Sequence, residues 1–519
     1  MTASLKYLLA RVFVVSSFPL IAVAAQSQDL DVIVRGGSVL DGSGSAAVKT
    51  DVGIKGDRIV FVGPSKGHKA KRVIDATGLV VTPGFIDPHT HTAEDLSNPM
   101  YSRNDAYLMQ GVTTVVTGND GSSPTDVGAT LARWKRQGIG TNAALFIGQG
   151  TVRSEVMAMS DAKPTPEQME KMKSLVETAM SEGAIGLSTG LYYAPGSYSS
   201  TEEVIELAKI AARHGGLYDT HMRDESSYNI GLLGSVRETI RIGRETQMPV
   251  MISHIKALGA DVWGQSSDVI ALIDAARKDG VKVTASQYPY TASGTSVTAS
   301  LVPRWAEVGG HNALLKNMTD PSVHAHLVEE MTLNLKRRGG PEALLMTSAK
   351  DKSIVGKTLE TIAAERKVSP IDAAIQIVLA GGSDVASFNM KEADIEAFMR
   401  QPWVMTCSDG SEGHPRKFGT FPRKLREYVY QRHVISLEFA VRSSTSLTAE
   451  TLGLKERGLL KPGYFADVLV FDPKTFNERA TYQSPRVLAT GVRYLTVNGV
   501  LVINNGALTT ALAGRPLKH

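Results

Sequence analysis

The sequence predicts an α/β fold, a TIM-type (β/α)8 barrel joined to a small β-sandwich domain. Eight short apolar runs with strand character alternate with amphipathic helical stretches, which is the pattern of successive β/α units. Polar residues follow directly after several of these runs. Both ends of the chain carry β-rich fragments divided by glycine turns. The alternative, a doubly wound open sheet, calls for a glycine-rich phosphate-binding turn after the first strand, and the sequence has none there.

The composition is that of an ordinary globular protein. The chain has 519 residues, of which 42% are hydrophobic and 21% charged. This length is enough for one large domain and a smaller one with a sizeable core. The formal net charge is only +4, and neither end carries a long basic run. The charge therefore predicts neither a nucleic-acid partner nor attraction to a membrane surface.

Residues 1–25 resemble a secretory signal peptide. Lys6 and Arg11 precede an apolar run, Val12–Ala25, that ends in small residues suited to a signal peptidase. The run is short for a membrane span, so an uncleaved anchor is the weaker alternative. We expect a secreted or periplasmic protein with no stable membrane span after cleavage. A single cysteine, Cys407, without an intramolecular disulfide partner is consistent with export.

The two ends of the chain, residues 29–80 and 455–519, are predicted to form the β-sandwich. Near the amino terminus, Asp31–Val34 and Ile59–Val62 belong to a series of short runs that suggests a small antiparallel unit. Ala466–Phe471 and Val492–Gly499 repeat this character near the carboxyl terminus. Because a sheet built from either end alone would be thin, the two ends are expected to pair.

Residues 81–454 are predicted to form the catalytic barrel. Helical stretches such as Thr165–Glu182 and Thr201–His214 separate several of its strands. A long interruption at about 291–399 is expected to hold extra helices and loops over the active face. The eight strand candidates are Val80–Ile86, Val112–Thr117, Ala143–Ile147, Ala184–Ser188, Leu217–Thr220, Val250–Ser253, Val281–Gln287 and Trp403–Cys407.

The first barrel strand runs into V-V-T-P-G-F-I-D-P-H-T-H, which ends in His89 and His91. In an extended chain, residues i and i+2 project from the same face, so these two imidazoles reach one point in space. His324 and His326 have the same spacing, but they lie in a stretch with helical character, where i and i+2 diverge. The sequence therefore predicts a metal site at His89 and His91.

Four further polar residues follow later strands: Asp120, His221, His254 and Asp409. In a barrel of this type, the carboxyl ends of the strands converge on one site. Four histidines with carboxylate oxygens suit zinc, one ion or two, although manganese, cobalt and iron use similar ligands. Such a metal lowers the pKa of bound water, and Asp409 is placed to take a proton and pass it to a leaving nitrogen. The sequence therefore predicts metal-assisted hydrolysis of an amide.

An ordered set of motifs resembles the D-aminoacylase, or N-acyl-D-amino-acid deacylase, branch of the amidohydrolase superfamily. The resemblance extends over nearly the whole chain after residue 25. It implies a metal-bearing (β/α)8 barrel with a β-sandwich, the four histidines as ligands and Asp409 as catalytic acid and base. The motifs are P-G-F-I-D-P-H-T-H, G-V-T-T-V-V-T-G-N-D-G, G-L-S-T-G-L-Y-Y-A-P, T-H-M-R, S-H-I-K, Y-P-Y-T-A, S-D-G with H-P-R and G-T-F-P-R, and G-L-L-K-P-G-Y-F-A-D-V-L-V-F-D-P.

The resemblance also implies how the substrate's α-carboxylate is held. Lys256, Arg416, Tyr193 and Tyr288 stand at the family's substrate-binding positions. A guanidinium grips a carboxylate through paired hydrogen bonds, a lysine adds a point charge, and tyrosines donate. Solvation of the two cations and packing of the two tyrosines are the alternatives.

One position departs from the family pattern. Where D-aminoacylases carry cysteine in T-G-N-C-G, this chain has Asp120. A carboxylate offers hard oxygens and can bridge two ions, so we expect a weaker preference for zinc and occupancy by two metals. No lysine occurs in 184–191, where many binuclear relatives place a bridging lysine, and Asp120 is the natural substitute.

The first functional hypothesis is an exported hydrolase that cleaves small N-acyl-D-amino acids. A close alternative is a dipeptidase acting on peptides with a C-terminal D-residue. Cyclic-amide hydrolysis is a weaker alternative, because the strand-four lysine is absent and the resemblance implies a carboxylate clamp at Lys256 and Arg416. A catalytically silent binding module is weaker still, because Asp409 and all four histidines are retained. The sequence does not predict the oligomeric state.

Overall fold

The computed structural model describes residues 29–519. The predicted signal peptide, residues 1–25, lies outside the described residues. Within residues 29–519, no helix has the length and apolar character needed to cross a membrane.

Two kinds of sheet account for most strands, a parallel one in the middle of the chain and a mixed one built from its ends. In chain order, the strands are β1 (Leu30–Val39), β2 (Val48–Lys55), β3 (Arg58–Gly63), β4 (Ala70–Asp75), β5 (Val80–Pro83), β6 (Phe85–Asp87), β7 (Val112–Thr117), β8 (Asn142–Leu145), β9 (Ile147–Gly148), β10 (Gly186–Gly190), β11 (Leu217–His221), β12 (Val250–Ile252), β13 (Val283–Gln287), β14 (Ala292–Ser296), β15 (Leu344–Ala349), β16 (Ser383–Phe388), β17 (Val404–Thr406), β18 (Val468–Phe471), β19 (Val492–Val497), β20 (Val500–Asn504) and β21 (Ala507–Leu508).

Helices fill the connections between the parallel strands. The long predicted helix after Thr165 begins with a capping box, in which Thr165 and Gln168 satisfy each other's backbone N–H groups. The helices are α1 (Ala93–Ser97), α2 (Asp105–Leu108), α3 (Val127–Gln137), α4 (Gln149–Met157), α5 (Pro166–Glu182), α6 (Thr201–Arg213), α7 (Gly231–Thr246), α8 (Ser266–Lys278), α9 (Val297–Leu301), α10 (His311–Thr319), α11 (Pro321–Arg337), α12 (Leu359–Arg366), α13 (Pro370–Leu379), α14 (Glu392–Met399), α15 (Arg416–Arg423), α16 (Leu437–Ser443) and α17 (Ser446–Thr451), with a π-helix at Lys424–Gln431.

The parallel strands form a closed ring. One sheet runs β6-β7-β8 and the other β9-β10-β11-β12-β13-β17. Phe146 alone separates β8 from β9, and the Ile185 N–H donates to the Leu145 carbonyl at 3.0 Å, which joins the two sheets. A parallel bridge between Thr90 and Gly410 joins the first strand to the last. This strand order is that of the predicted TIM-type barrel.

The interior of the ring is packed with side chains. One buried cluster contains residues that lie on or beside seven of the parallel strands. Side chains from so many strands meet only inside a ring, so this cluster is the core of the barrel. Its strand-borne members are Ile86, Val116, Ala144, Ile185, Leu217, Met251 and Met405.

The predicted first strand, Val80–Ile86, is wrong as a single element. Val80–Pro83 pairs with β18 of the terminal sheet, whereas Phe85–Asp87 pairs with β7 of the barrel. Gly84 lies at the break, where a Cβ atom would come within 2.2 Å of a Thr113 methyl. The glycine therefore allows a close backbone crossing between the two sheets, which an apolar run alone does not reveal.

The two ends of the chain pair, as predicted, but they form one hydrogen-bonded sheet of nine strands. Its order is β21-β20-β19-β18-β5-β1-β2-β3, with β4 also on β1. The expectation of an antiparallel amino-terminal unit is wrong in part, because β4 and β5 both pair with β1 in parallel. Both pairings fit on β1 because this strand has ten residues: its first half pairs with β4 and its last two residues pair with β5.

The interruption between β13 and β17 contains helices α9–α14 and, in addition, a three-stranded antiparallel sheet in the order β14-β16-β15. The sheet was not predicted, because β14 has the sequence A-S-G-T-S and lacks apolar alternation. Most of the segment has a hydrophobic cluster of its own, from Val297 to Val385. It therefore packs as a subdomain beside the barrel.

Candidate active site

The predicted metal ligands lie together at the carboxyl end of the barrel. His89 Nε2 is 3.4 Å from Asp120 Oδ1 and 3.6 Å from Asp409 Oδ1, and His254 Nε2 is 3.4 Å from Asp120 Oδ1. His91 Nε2 is 3.5 Å from Asp120 Oδ2. His221 Nδ1 is 3.8 Å from the same oxygen. All six predicted residues therefore meet at one point, with Asp120 at its centre.

The donor set fits a divalent cation. Ligand atoms of His89, Asp120, His254 and Asp409 all lie within 4.8 Å of one another. Both ring nitrogens of His89 are buried and have no hydrogen-bond partner among the described residues, and the same holds for Asp120 Oδ1. Because buried polar atoms are rarely left without partners, these atoms call for a ligand that the polypeptide does not supply. Imidazole nitrogens with carboxylate oxygens are the ligands that zinc and related metals take.

Electrostatics favour positive charge at this point. Partial desolvation opposes protonation of His91, whose side chain is 35% exposed, yet hydrogen bonds to Asp120 and Asp409 raise its pKa to about 10. Burial also opposes ionisation of Asp120, yet His89 and His254 hold the pKa of that carboxyl well below its usual range. The two largely buried carboxylates therefore create a cation-attracting site at the wall of the barrel's mouth.

Three of the central residues have a left-handed backbone. The φ angles are +56° at Asp120, +36° at His254 and +47° at Asp409. This conformation is uncommon for residues other than glycine and is strained for histidine. The three residues lie two or three positions after the ends of β7, β12 and β17, where the chain turns out of the ring. The turns therefore direct these side chains into the site.

Two buried aspartates lie beneath the histidines, each two residues before one of them. Asp87 accepts hydrogen bonds from the backbone N–H groups of Ser408 and His89, and burial raises its pKa to about 7. Asp219 accepts from Ser253 Oγ at 2.5 Å and from Asn119 Nδ2 at 3.0 Å, and burial raises its pKa to about 6. Sequence analysis missed both, although their i−2 spacing in D-P-H and D-T-H was a usable signal.

Glu225 is the other site residue that sequence analysis missed. It forms a second group with His221 and His254, at 3.7 Å from His221 Nε2 and 3.2 Å from His254 Nδ1. Burial opposes its ionisation, but Lys256 and the two histidines hold its pKa well below its usual range. Glu225 lies in a loop four residues after His221, where no periodic pattern identifies it.

The four residues expected to bind substrate also line the site. Lys256 Nζ contacts Glu225 Oε1 at 2.6 Å. The Arg416 guanidinium lies 4.6 Å above the Tyr288 ring, and Arg416 Nη1 is 2.8 Å from Asp409 Oδ2. The Tyr193 ring is 4.7 Å from that of His221. The two cations therefore contact the metal-site carboxylates directly, which the sequence did not predict.

A cavity of about 680 Å³ opens onto this cluster, lined by Asp120, the two cations and both tyrosines. The antiparallel sheet β14-β16-β15 covers one side of it, through Ser293 to Ser296 and Val385. A volume of this size accommodates a small organic molecule in contact with the cluster.

The sequence matches the model of the amidohydrolase family over residues 72–269 and 266–503. The chain belongs to the amidohydrolase family. It is 36% identical to a D-aminoacylase of Alcaligenes xylosoxydans xylosoxydans over 95% of this chain and 98% of that protein. This relative confirms the resemblance to the D-aminoacylase branch.

Two solved structures extend this similarity to the whole fold. A D-aminoacylase described with a binuclear metal centre superposes with a TM-score of 0.81 at 34% identity, and covers 94% of this amidohydrolase and 100% of that chain. An N-acyl-D-glutamate deacylase of Bordetella bronchiseptica, complexed with zinc and a phosphonate inhibitor, has a TM-score of 0.82 at 30% identity, with 95% and 100% covered.

Asp120 offers a direct test of the donor set. Replacing Asp120 with alanine removes a carboxylate whose two oxygens lie within 3.8 Å of all four histidines, so we expect metal content measured by atomic emission to fall and the rate of hydrolysis to fall with it. Asparagine adopts a left-handed backbone as readily as aspartate, so Asp120→Asn separates the loss of the carboxylate from backbone strain. Unchanged metal content and rate in Asp120→Ala would remove this residue from the site.

Proposed function

We propose that this amidohydrolase cleaves the amide bond of N-acyl-D-amino acids. The observation that carries the proposal is the cluster of four histidines, Asp120 and Asp409 at the mouth of the barrel, beside two cations suited to a carboxylate. The similarity to D-aminoacylase supports the choice of substrate and of its D configuration.

Asp409 is the proton-transfer group in this proposal. Burial opposes its ionisation, but Arg416 holds the pKa of Asp409 well below its usual range, so the carboxylate is ionised at neutral pH. It accepts a proton from water at Oδ1, which faces the histidines, and gives that proton to the leaving nitrogen. When bound, zinc or another divalent metal, one ion or two, supplies Lewis-acid polarisation and acidifies water.

Arg416 is suited to hold the substrate's α-carboxylate. Its Nε and Nη1 atoms are buried and make no hydrogen bond among the described residues, because the contact with Asp409 is close but poorly aligned for one. The Tyr288 hydroxyl beside it also has no partner. Unused donors around one guanidinium form a receptor for a planar anion. Lys256 and Tyr193 border the same space.

Arg416→Met tests this assignment. We expect KM for N-acetyl-D-leucine to rise about 10- to 100-fold, the value of one charge-assisted hydrogen-bonded pair. For N-acetyl-D-leucinamide, which has no carboxylate, we expect KM to change little. Because Arg416 also contacts Asp409, kcat should fall for both substrates. Equal increases in KM for the acid and the amide would contradict the carboxylate clamp.

A second candidate substrate is a dipeptide with a C-terminal D-residue. The cavity of about 680 Å³ is larger than an N-acetyl amino acid needs, which favours a longer acyl group. The deciding experiment incubates the metal-loaded protein with N-acetyl amino acids and dipeptides of both configurations and follows amine release. Turnover restricted to D-configured products supports the proposal. Equal turnover of L-configured products, or of hydantoins alone, would contradict it.

We also propose that the closed ring and terminal sheet are the (β/α)8 barrel and β-sandwich of metal-dependent hydrolases, and that the protein is secreted or periplasmic. The order of strands around the ring and the shared core of the terminal sheet support the first statement. The charged and apolar segments within residues 1–25 support the second. Amino-terminal sequencing of the mature protein tests localisation, and a mature form that still begins at Met1 would contradict it.

A further inference from the structure

Arg338, which follows α11, is an unusual buried cation in the cavity wall. Four arginines are buried in the described part of the chain. Arg153 contacts Glu203 at 2.5 Å, Arg416 contacts Asp409, and Arg457 contacts Asp467. Arg338 is 2% exposed, yet within residues 29–519 no carboxylate oxygen lies within 4.0 Å of its nitrogens. A buried charge without a counter-charge is costly, so this residue calls for an anion from outside the polypeptide.

The groups around Arg338 are neutral: three hydroxyls, and the rings of Tyr192 and Tyr228 at 5.8 Å and 5.6 Å from its guanidinium carbon. Arg338 Nε donates to the Tyr228 hydroxyl at 2.6 Å, and Nη2 donates to the Tyr192 hydroxyl at 2.9 Å. Nη1 approaches Ser293 Oγ at 3.5 Å. These contacts fix the plane of the guanidinium without neutralising it. Guanidinium and hydroxyl donors in a fixed array are the groups that recognise a carboxylate.

The position of Arg338 connects it to the reacting centre. Arg338 and its three hydroxyl partners line the same cavity as the metal-type cluster. The Tyr192 ring lies 5.6 Å from the ring of His221. On β14, Ser293 faces Arg338, and a Cβ on Gly294 would lie 3.0 Å from Arg416 Nη2. The guanidinium groups of Arg338 and Arg416 therefore approach two consecutive residues of β14, Ser293 and Gly294.

We infer that Arg338, Tyr192, Tyr228 and Ser293 form a second carboxylate subsite, which takes the acidic side chain of an N-acyl-D-amino acid. The inference rests on the proposed function, and it adds a preference for dicarboxylic over neutral amino acids. The first subsite, at Arg416 and Tyr288, holds the α-carboxylate. Because both arginines line one cavity and approach adjacent residues of β14, we place the second carboxylate on the amino-acid part of the substrate and not on its acyl group.

The test compares N-acetyl-D-glutamate with N-acetyl-D-glutamine, which differ in one charge and have the same size. In the unmodified protein we expect kcat/KM to favour the glutamate compound by at least about tenfold, the value of a charge-assisted hydrogen bond. In Arg338→Met this ratio should fall to near one, with thermal stability retained. Arg366→Met is the control, since this arginine is also partly buried, lies near Asp351 and does not line the cavity.

Three results would overturn the inference. A ratio near one in the unmodified protein removes the subsite. Equal losses on both compounds in Arg338→Met assign the arginine a structural role. A charge preference between N-succinyl-D-leucine and N-acetyl-D-leucine, without one between the glutamate and glutamine compounds, places the anion on the acyl side. Calorimetric binding of the same two compounds separates this inference from the proposed function. If the protein binds the glutamate compound more tightly than the glutamine compound but hydrolyses neither, the proposed hydrolase activity is contradicted and the carboxylate subsite is supported.

Discussion

Asp409→Asn is expected to reduce kcat for N-acyl-D-amino acids by about 10³-fold, within the range that positioned proton-transfer groups contribute. The carboxamide keeps the size of the side chain and tolerates the left-handed backbone at φ +47°. It does not accept a proton at neutral pH. Substrate affinity should change less than kcat, because Asp409 contacts Arg416 through Nη1 and leaves the buried Nε donor without a partner among the described residues.

The control for this prediction is Asp279→Asn, which changes an exposed aspartate that lies near Arg244 and does not line the cavity. Steady-state kinetics and metal content of both variants, measured on the same preparation, decide the result. A variant at Asp409 that retains its metal and at least half of the original kcat would show that proton transfer uses another group.

His89→Ala is expected to abolish metal binding at the cluster and to lower kcat/KM by at least about 10³-fold. His89 is fully buried, and neither ring nitrogen has a partner among the described residues. Its removal takes one ligand from the group with Asp120, His254 and Asp409. The expected loss corresponds to several kcal/mol of transition-state stabilisation by a metal ion.

The matched control is His324→Ala. His324 and His326 have the same i, i+2 spacing as His89 and His91, but they lie on α11, and His324 is exposed. This variant should retain full metal content and activity. If His89→Ala retained as much metal as His324→Ala, the spacing argument for the metal site would be wrong.

The positions of the proposed ligands were predictable because each follows an apolar run. Val112–Thr117 ends before Asp120, and Val250–Ile252 ends before His254. An apolar run marks a buried strand, and the carboxyl ends of parallel strands meet at one face. Local pattern and barrel geometry together therefore bring distant residues to one site.

Other features depend on contacts that no local pattern encodes. Gly84 divides an apolar run because Thr113 approaches it from another strand. The strand Ala292–Ser296 forms because β16 supplies hydrogen-bond partners, although its own residues have little strand character. Glu225 reaches His254 and Lys256 through a loop. Such residues become recognisable only when the chain is folded.

Family likeness supplied what residue patterns did not. Lys256, Arg416 and Tyr288 were expected from the resemblance to D-aminoacylases, and the structure places them beside the cluster. The direct contacts of Arg416 with Asp409, and of Lys256 with Glu225, were not expected. The contact between Arg416 and Asp409 connects substrate binding to proton transfer. Arg416 holds the pKa of Asp409 low, and a substrate carboxylate bound at Arg416 would interact with the same guanidinium.

The most direct test of the central claim is the rate of N-acetyl-D-leucine hydrolysis before chelation, after chelation and after zinc is added back, with metal content measured at each stage. If the four histidines, Asp120 and Asp409 hold a catalytic metal, activity should disappear as metal content approaches zero and return when zinc is restored. Full activity in protein that contains no metal would contradict this account of the site.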